Sequence, residues 1–329
     1  MGSGRWSTHD YTSGMGARRA AGSPHFSHDH AIRTGKARSI HATLDPLKLK
    51  DGPRESRDSA EHPLTLPIAV IFDVTGSMGG IPVILQEKLA LLMDVIIARA
   101  NIADPQILVG AVGDSLCDRF PFQVGQFESD NRFDEQLRNL ILEGGGGGQD
   151  MESYGLAYRF AARHTATDAF EKRGKKGYFV TIGDEKPWPH VTAAEVEAIF
   201  GIAGEADEAV EDLIAKARER WELFHIFPTQ AAHGGDDAIK GRWRDLLGER
   251  VIMLNEAELV CETIAGLVHM LETSHDLDKV MDDVGLKGAR RTAVRNALVP
   301  MTALRLPAHL ATGALPASHG GTAGRFTTI

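Results

Sequence analysis

The chain has only two cysteines among 329 residues, Cys117 and Cys261. They lie far apart and form no metal-ligand spacing, which suggests reduced thiols in a reducing compartment. Long hydrophobic runs are also missing. No stretch approaches the ~20 apolar residues that span a bilayer, so no membrane segment is expected. The N-terminus carries arginines with no apolar core after them, so it does not read as a secretory signal, and the cytoplasm is the default location. Positive charge is in deficit. The formal net charge of −9 argues against a general nucleic-acid surface. No internal repeat is visible. No Gly-Lys-Ser/Thr follows the glycine run 144–148, so a P-loop is not supported. What is present is a hydrophobic fraction of 43%, enough for a substantial core in one large domain or two small ones.

The chain is organised around residues 66–78, LPIAVIFDVTGSM. The apolar, β-branched half is short enough to be a strand buried on both faces, the centre of a parallel sheet. It stops at Asp73, Thr75 and Ser77, with Gly76 permitting a tight turn. Ile81, Leu85, Leu89, Leu92 and Ile96 then mark one face of a helix. An oxygen-rich turn between strand and helix lies where open α/β sheets place ligands. One carboxylate and two hydroxyls at alternate positions can converge on a hard cation, Mg²⁺ or Mn²⁺ rather than zinc. The plain alternative is that Asp73 caps the helix while the hydroxyls satisfy turn backbone.

Asp-Val-Thr-Gly-Ser-Met after an apolar strand resembles the first motif of von Willebrand factor type A domains. There, Asp-x-Ser/Thr-x-Ser holds a divalent cation in a metal-ion-dependent adhesion site. The resemblance covers about residues 63–273. It implies a second loop, usually bringing a threonine, and a third loop after the fourth strand, bringing an aspartate. Residues 149–153, QDMES, have no threonine, so Asp150, Glu152 or Ser153 is the expected substitute. An added carboxylate raises the negative charge at the ion and weakens its demand for an acidic ligand from outside. Asp184, ending the apolar run 177–184, matches the third loop, although Gly-Asp-Glu stands where the family shows Thr-Asp-Gly.

Further strands are expected at 105–114, at 122–127 as an edge, at 221–227 and at 251–254. Helices are expected at 131–142, 151–163, 192–200, 207–220, 236–247 and 256–271. Strand–helix alternation predicts a doubly wound, mostly parallel α/β sheet of about six strands with helices on both faces. Residues 1–62 lack periodicity and read as a disordered polar arm; His25, His28 and His30 within it read as solvated. Residues 63–275 form the type A-like domain, 276–299 a helical extension and 300–329 a loose tail. His225 reads as a core histidine.

The expected partner surface is Asp114, Glu185 and Trp188, since a tryptophan beside a metal is a natural contact; Trp188 folded into the core is the alternative. The resemblance implies a non-enzymatic binding module whose partner presents an Asp or Glu. It further implies a ring-shaped AAA+ ATPase as partner for an intracellular adaptor. Two other resemblances compete. Haloacid-dehalogenase phosphohydrolases also open with a strand and an aspartate, which would make Asp73 a nucleophile; Thr75 stands where they carry a second aspartate. Ro-type RNA-binding proteins add a helical ring for which this chain has no room.

Overall fold

The structure, a computed structural model of the chain, describes residues 4–100, 102–145, 148–273 and 276–304. Its six main strands are β1 (Leu66–Asp73), β2 (Pro105–Val112), β3 (Phe122–Val124), β4 (Gly177–Ile182), β5 (Trp221–Pro228) and β6 (Val251–Leu254). They form one sheet in the order β6-β5-β4-β1-β2-β3. All pairings are parallel except β2 with β3, which is antiparallel at the edge. The chain order reverses beside β1, so the carboxyl ends of β1 and β4 open a crevice between them.

Every residue of β1 is buried. A strand alternates its side chains between faces, and Ile68, Val70 and Phe72 accordingly enter one core while Ala69 and Ile71 enter the other. The first core packs against helices Ile81–Leu89, Val260–Glu272 and Gly288–Leu298. The second packs against Tyr154–Arg163, Val210–Ala217 and Asp237–Leu247. Helices on both faces of a mostly parallel sheet were the expected architecture.

The arm differs from expectation. It is folded onto the domain, with helices at Thr8–Ala20 and Ser27–Arg33. Tyr11, Phe26 and Leu44 are buried in the first core and Leu49 in the second. Residues Arg54–Ser56 pair in parallel with Thr165–Thr167, and the buried Arg54 guanidinium donates to the carbonyls of Asp45 and Val124. These apolar residues are spaced irregularly because each fills a separate site on a surface built by the rest of the chain. No local period can show that.

Several helices break earlier than their periodicity suggests. The first expected helix stops at Leu89 and resumes as Leu92–Asp94 with a π-turn at Val95–Arg99. Residues 192–200 are a short turn capped by Thr192 and a π-helix at Val196–Phe200. Met151–Glu152 is not helical; it pairs with Lys186–Pro187. After Val260–Glu272, helices Leu277–Asp283 and Gly288–Leu298 carry Val280, Met281, Val294 and Leu298 into the same core. Most of the expected tail, 305–329, lies outside the described residues.

Candidate functional site

Asp73 closes β1 and is fully buried. Its Oδ1 accepts from the Thr75 amide at 2.8 Å and the Thr75 hydroxyl at 2.6 Å. Its Oδ2 accepts from the Tyr154 hydroxyl at 2.9 Å. Thr75 and Ser77 hydroxyls lie 3.4 Å apart. Ser77 then donates to Asp184 Oδ1 at 2.8 Å, across 107 positions of sequence. The other Asp184 oxygen accepts from the His233 amide at 2.8 Å, and the Ala232 amide donates to the Ser77 carbonyl. Loops after β1, β4 and β5 thus meet at one point.

Two glycines make this closeness possible. A Cβ on Gly76 would sit 2.8 Å from the Gly145 carbonyl oxygen, which accepts from the Gly76 amide. The glycine run therefore packs against the β1 turn; Gly146 and Gly147 lie outside the described residues. A Cβ on Gly183 would collide with the Tyr154 hydroxyl and crowd Asp73.

Glu152 and Glu185 are buried beside these groups, 2% and 4% exposed. Each has an Oε2 atom with no hydrogen-bond donor among the described residues. Glu185 Oε1 lies 3.3 Å from the half-exposed His233 ring, and Trp243 donates to the Glu185 carbonyl at 2.8 Å. Burial pushes the Asp73 carboxyl up to about 7, against the lowering effect of the Thr75 donors and with the charges of Glu185 and Asp184 adding to the rise. Burial also raises Glu152, to about 12, with Asp73 and Glu185 contributing. Burial raises Glu185 as well, against the lowering effect of the neighbouring Glu152 carboxyl and with the Asp184 charge adding to the rise. Burial beside these carboxylates holds the Tyr154 hydroxyl well above its ordinary value, so it stays a donor.

The other expected residues are placed differently. Asp150 forms an ion pair with Lys186 at 2.6 Å. Asp114 is fully buried. Its Oδ1 accepts from the Trp188 indole at 3.0 Å and from the Leu116 amide at 3.0 Å, and its Oδ2 accepts from Gln149. Trp188 is therefore half-buried and tied to Asp114 rather than free. Ser153 donates to Ser115 at 3.0 Å and accepts from its amide. His225 is a core residue: fully buried, stacked on Trp243 at 3.6 Å and hydrogen-bonded to Thr181 and the Gly183 carbonyl.

No group of three or more His, Cys, Asp or Glu side chains among the described residues has metal-holding geometry. The donor set is of another kind: two hydroxyls with buried carboxylates. Among the described residues no Lys or Arg pairs with Asp73, Asp184, Glu152 or Glu185; the nearby Lys186 is held by Asp150. Uncompensated buried carboxylates must hold protons or a cation. With the donorless Oε2 atoms of Glu152 and Glu185, the site fits a hard divalent ion. Asp73, Thr75, Ser77 and Asp184 are the residues that could hold it, with the buried Glu152 and Glu185 beside them.

The chain resembles von Willebrand factor type A domains in fold and motif. Its central strand ends in Asp-x-Thr-x-Ser, and the expected aspartate follows the fourth strand of the main sheet. Sequence reasoning did not find Tyr154, His233 or Trp243 as site residues. Tyr154 opens a helix and the other two follow β5, with nothing local to tie them to Asp73. The glycine at 183 was the available signal, since it marks a close approach.

No protein-family profile and no curated protein matches the chain. Solved structures do. Proximal thread matrix protein 1 of the mussel byssus is similar at 13% identity and a TM-score of 0.42, over 63% of this chain and 47% of that one. Another structure of that protein is described as having a zinc-occupied MIDAS motif. The pilus adhesin SpaC of Lactobacillus rhamnosus GG is similar at 9% identity and a TM-score of 0.44, over 70% of this chain and 31% of that one. An aerotolerance-related membrane protein of Bacteroides fragilis is similar at 13% identity and a TM-score of 0.35, over 60% of this chain and 96% of that one. The chain thus spans less than half of the mussel protein and of the adhesin. Among the described residues no helix is long and apolar enough to cross a membrane.

Proposed function

We propose that the chain is a metal-dependent protein-binding module, with Mg²⁺ or Mn²⁺ held by Asp73, Thr75, Ser77 and Asp184. The observation that carries this reading is the Ser77–Asp184 hydrogen bond at 2.8 Å, which joins the two motif loops at the carboxyl end of the sheet. A bound ion would supply a partly dehydrated positive charge to which a partner's Asp or Glu can bond. The chain's own residues do the positioning. Asp73 orients the Thr75 hydroxyl, Asp184 orients that of Ser77, and Tyr154 fixes Asp73. Trp188 is the partner-facing side chain in this reading, its indole fixed by the buried Asp114, while the buried Glu185 acts through the ion site. The family resemblance makes a ring-shaped AAA+ ATPase the first partner to test, with this chain as its intracellular adaptor.

Two observations favour this over a phosphohydrolase. Both Asp73 oxygens already accept hydrogen bonds in a fully buried position, and Thr75 stands where a general-acid aspartate would be needed. The test is calorimetric titration of Mg²⁺ and Mn²⁺ into the wild type and Asp73→Ala, with partner pull-down with and without chelator. Saturable binding lost in the variant supports the site. Metal binding unchanged by the substitution rules it out, and phosphatase turnover with Mg²⁺ would restore the enzymatic reading.

A further inference from the structure

A cleft of about 540 Å³ lies between the folded arm, the loop after β2 and the π-helix Val196–Phe200. It is within the usual range for a binding pocket. Ile40 and Leu47 from the arm face Ile199 across it. Leu47 is 41% exposed, as large apolar side chains at a docking surface tend to be.

Its charge is one-sided. Asp45, Asp118 and Glu195 line it, against the single guanidinium of Arg119. Their oxygens serve local backbone and hydroxyl donors. Asp45 caps Leu47, Asp118 accepts from the Asp114 amide, and Glu195 accepts from Ser115 and Thr192. Among the described residues none of the three forms an ion pair. Glu143, whose oxygens accept from the Phe120 and Arg119 amides, adds a fourth unpaired carboxylate beside the loop. Burial raises both Asp118 and Glu143, as expected of carboxylates lacking a cation. The cleft adjoins the candidate metal site through Ser115, whose amide donates to Ser153 beside Glu152.

We propose that this cleft binds a cationic segment of a partner protein, an apolar anchor side chain flanked by Lys or Arg. The apolar walls take the anchor, and the unpaired carboxylates take the charges. An acidic segment would meet repulsion here, so the cleft and the ion site select opposite charges on one partner surface. This adds a partner chemistry to the reading above, but it does not require the ion.

The test uses three sets of fluorescent nonapeptides, all with chelator present: cationic with Leu or Phe, acidic with Leu or Phe, and cationic with Gly and Ser replacing the apolar positions. Anisotropy should show binding by the first set only. Ala198 is an exposed residue of the cleft wall. Ala198→Lys should weaken that binding about tenfold or more, and Ala198→Glu should keep or strengthen it. Asp73→Ala should leave it unchanged, so failure of the metal reading would not be mistaken for failure of this one. Equal binding by all three sets, no binding by any, or indifference to Ala198→Lys in a variant that melts like wild type would overturn the proposal.

Discussion

Glu152 and Glu185 are buried together at the carboxyl end of the sheet, and the Glu185 charge adds to burial in raising the Glu152 carboxyl. Both act on Asp73, or are acted on by it, through charge, and the Asp73 carboxyl is itself raised to about 7. A carboxyl raised above its unfolded value binds its proton more tightly in the folded state. Its stabilising effect is complete below the unfolded value and lost as pH rises through the folded one. For Asp73 that window runs from 3.8 to about 7, and for Glu152 the loss continues above it. Above the range in which the buried histidines act, the metal-free chain should therefore unfold at lower urea as pH is raised from about 6.5 to 8 (a span of roughly 1.5 units, enough for about 2 kcal/mol). Added Mg²⁺ or Mn²⁺ should flatten that slope, read as urea midpoints with and without chelator.

Replacing Glu152 by Gln removes one buried carboxyl and leaves an amide that can donate to Glu185. The chelated Glu152→Gln protein should be more stable at pH 8 by about 1–3 kcal/mol, while its divalent-ion affinity falls. Opposite movements of melting temperature and calorimetric affinity are the expected signature. A loss of both would mean that the pair is structural only.

Tyr154→Phe keeps the ring, which lies edge-on to Trp243 at 5.1 Å and to His225 at 5.8 Å, and removes only the donor to Asp73. Leaving the buried Asp73 oxygen without its partner should cost about 1–3 kcal/mol. It should also weaken ion binding, since Asp73 loses one of the groups that orient it. Thermal melts and Mn²⁺ titration of the variant measure the two effects separately.

His225 and His164 give the acid side. Burial lowers His225 to about 3 and, with Arg159 and Arg163 nearby, His164 to about 4. A histidine lowered on folding contributes stability that is complete above its unfolded value of 6.5 and lost as pH falls towards the folded one. Unfolding by acid should thus begin below about pH 6.5, and His225→Gln should shift that onset. An onset identical to wild type would falsify the assignment of His225 to this loss.

Leu44 tests the arm. It is fully buried in the core below the first sheet face, and the Val124 amide donates to its carbonyl. Leu44→Ala should cost about 2–5 kcal/mol, measured by denaturant unfolding. A surface-like change below about 0.5 kcal/mol would return the arm to the disordered state that its composition suggests.

The sequence by itself determined what is encoded locally. The run 66–73 is apolar throughout because a central parallel strand is buried on both faces, and the alternation of such runs with helical stripes specified a doubly wound sheet. The same period-based reading ended buried strands at Asp73 and beside Asp184, and the resemblance to the type A motif singled out Asp73, Thr75, Ser77 and Asp184 as candidate ligands. Only the tertiary structure decided which other groups face them. Tyr154, His233 and the Glu152–Glu185 pair reach the site across long stretches of chain, through close approaches that depend on Gly76 and Gly183. It also decided the fate of the arm. Tyr11, Phe26 and Leu44 have no period of their own, because the surface that buries them belongs to residues far away in sequence.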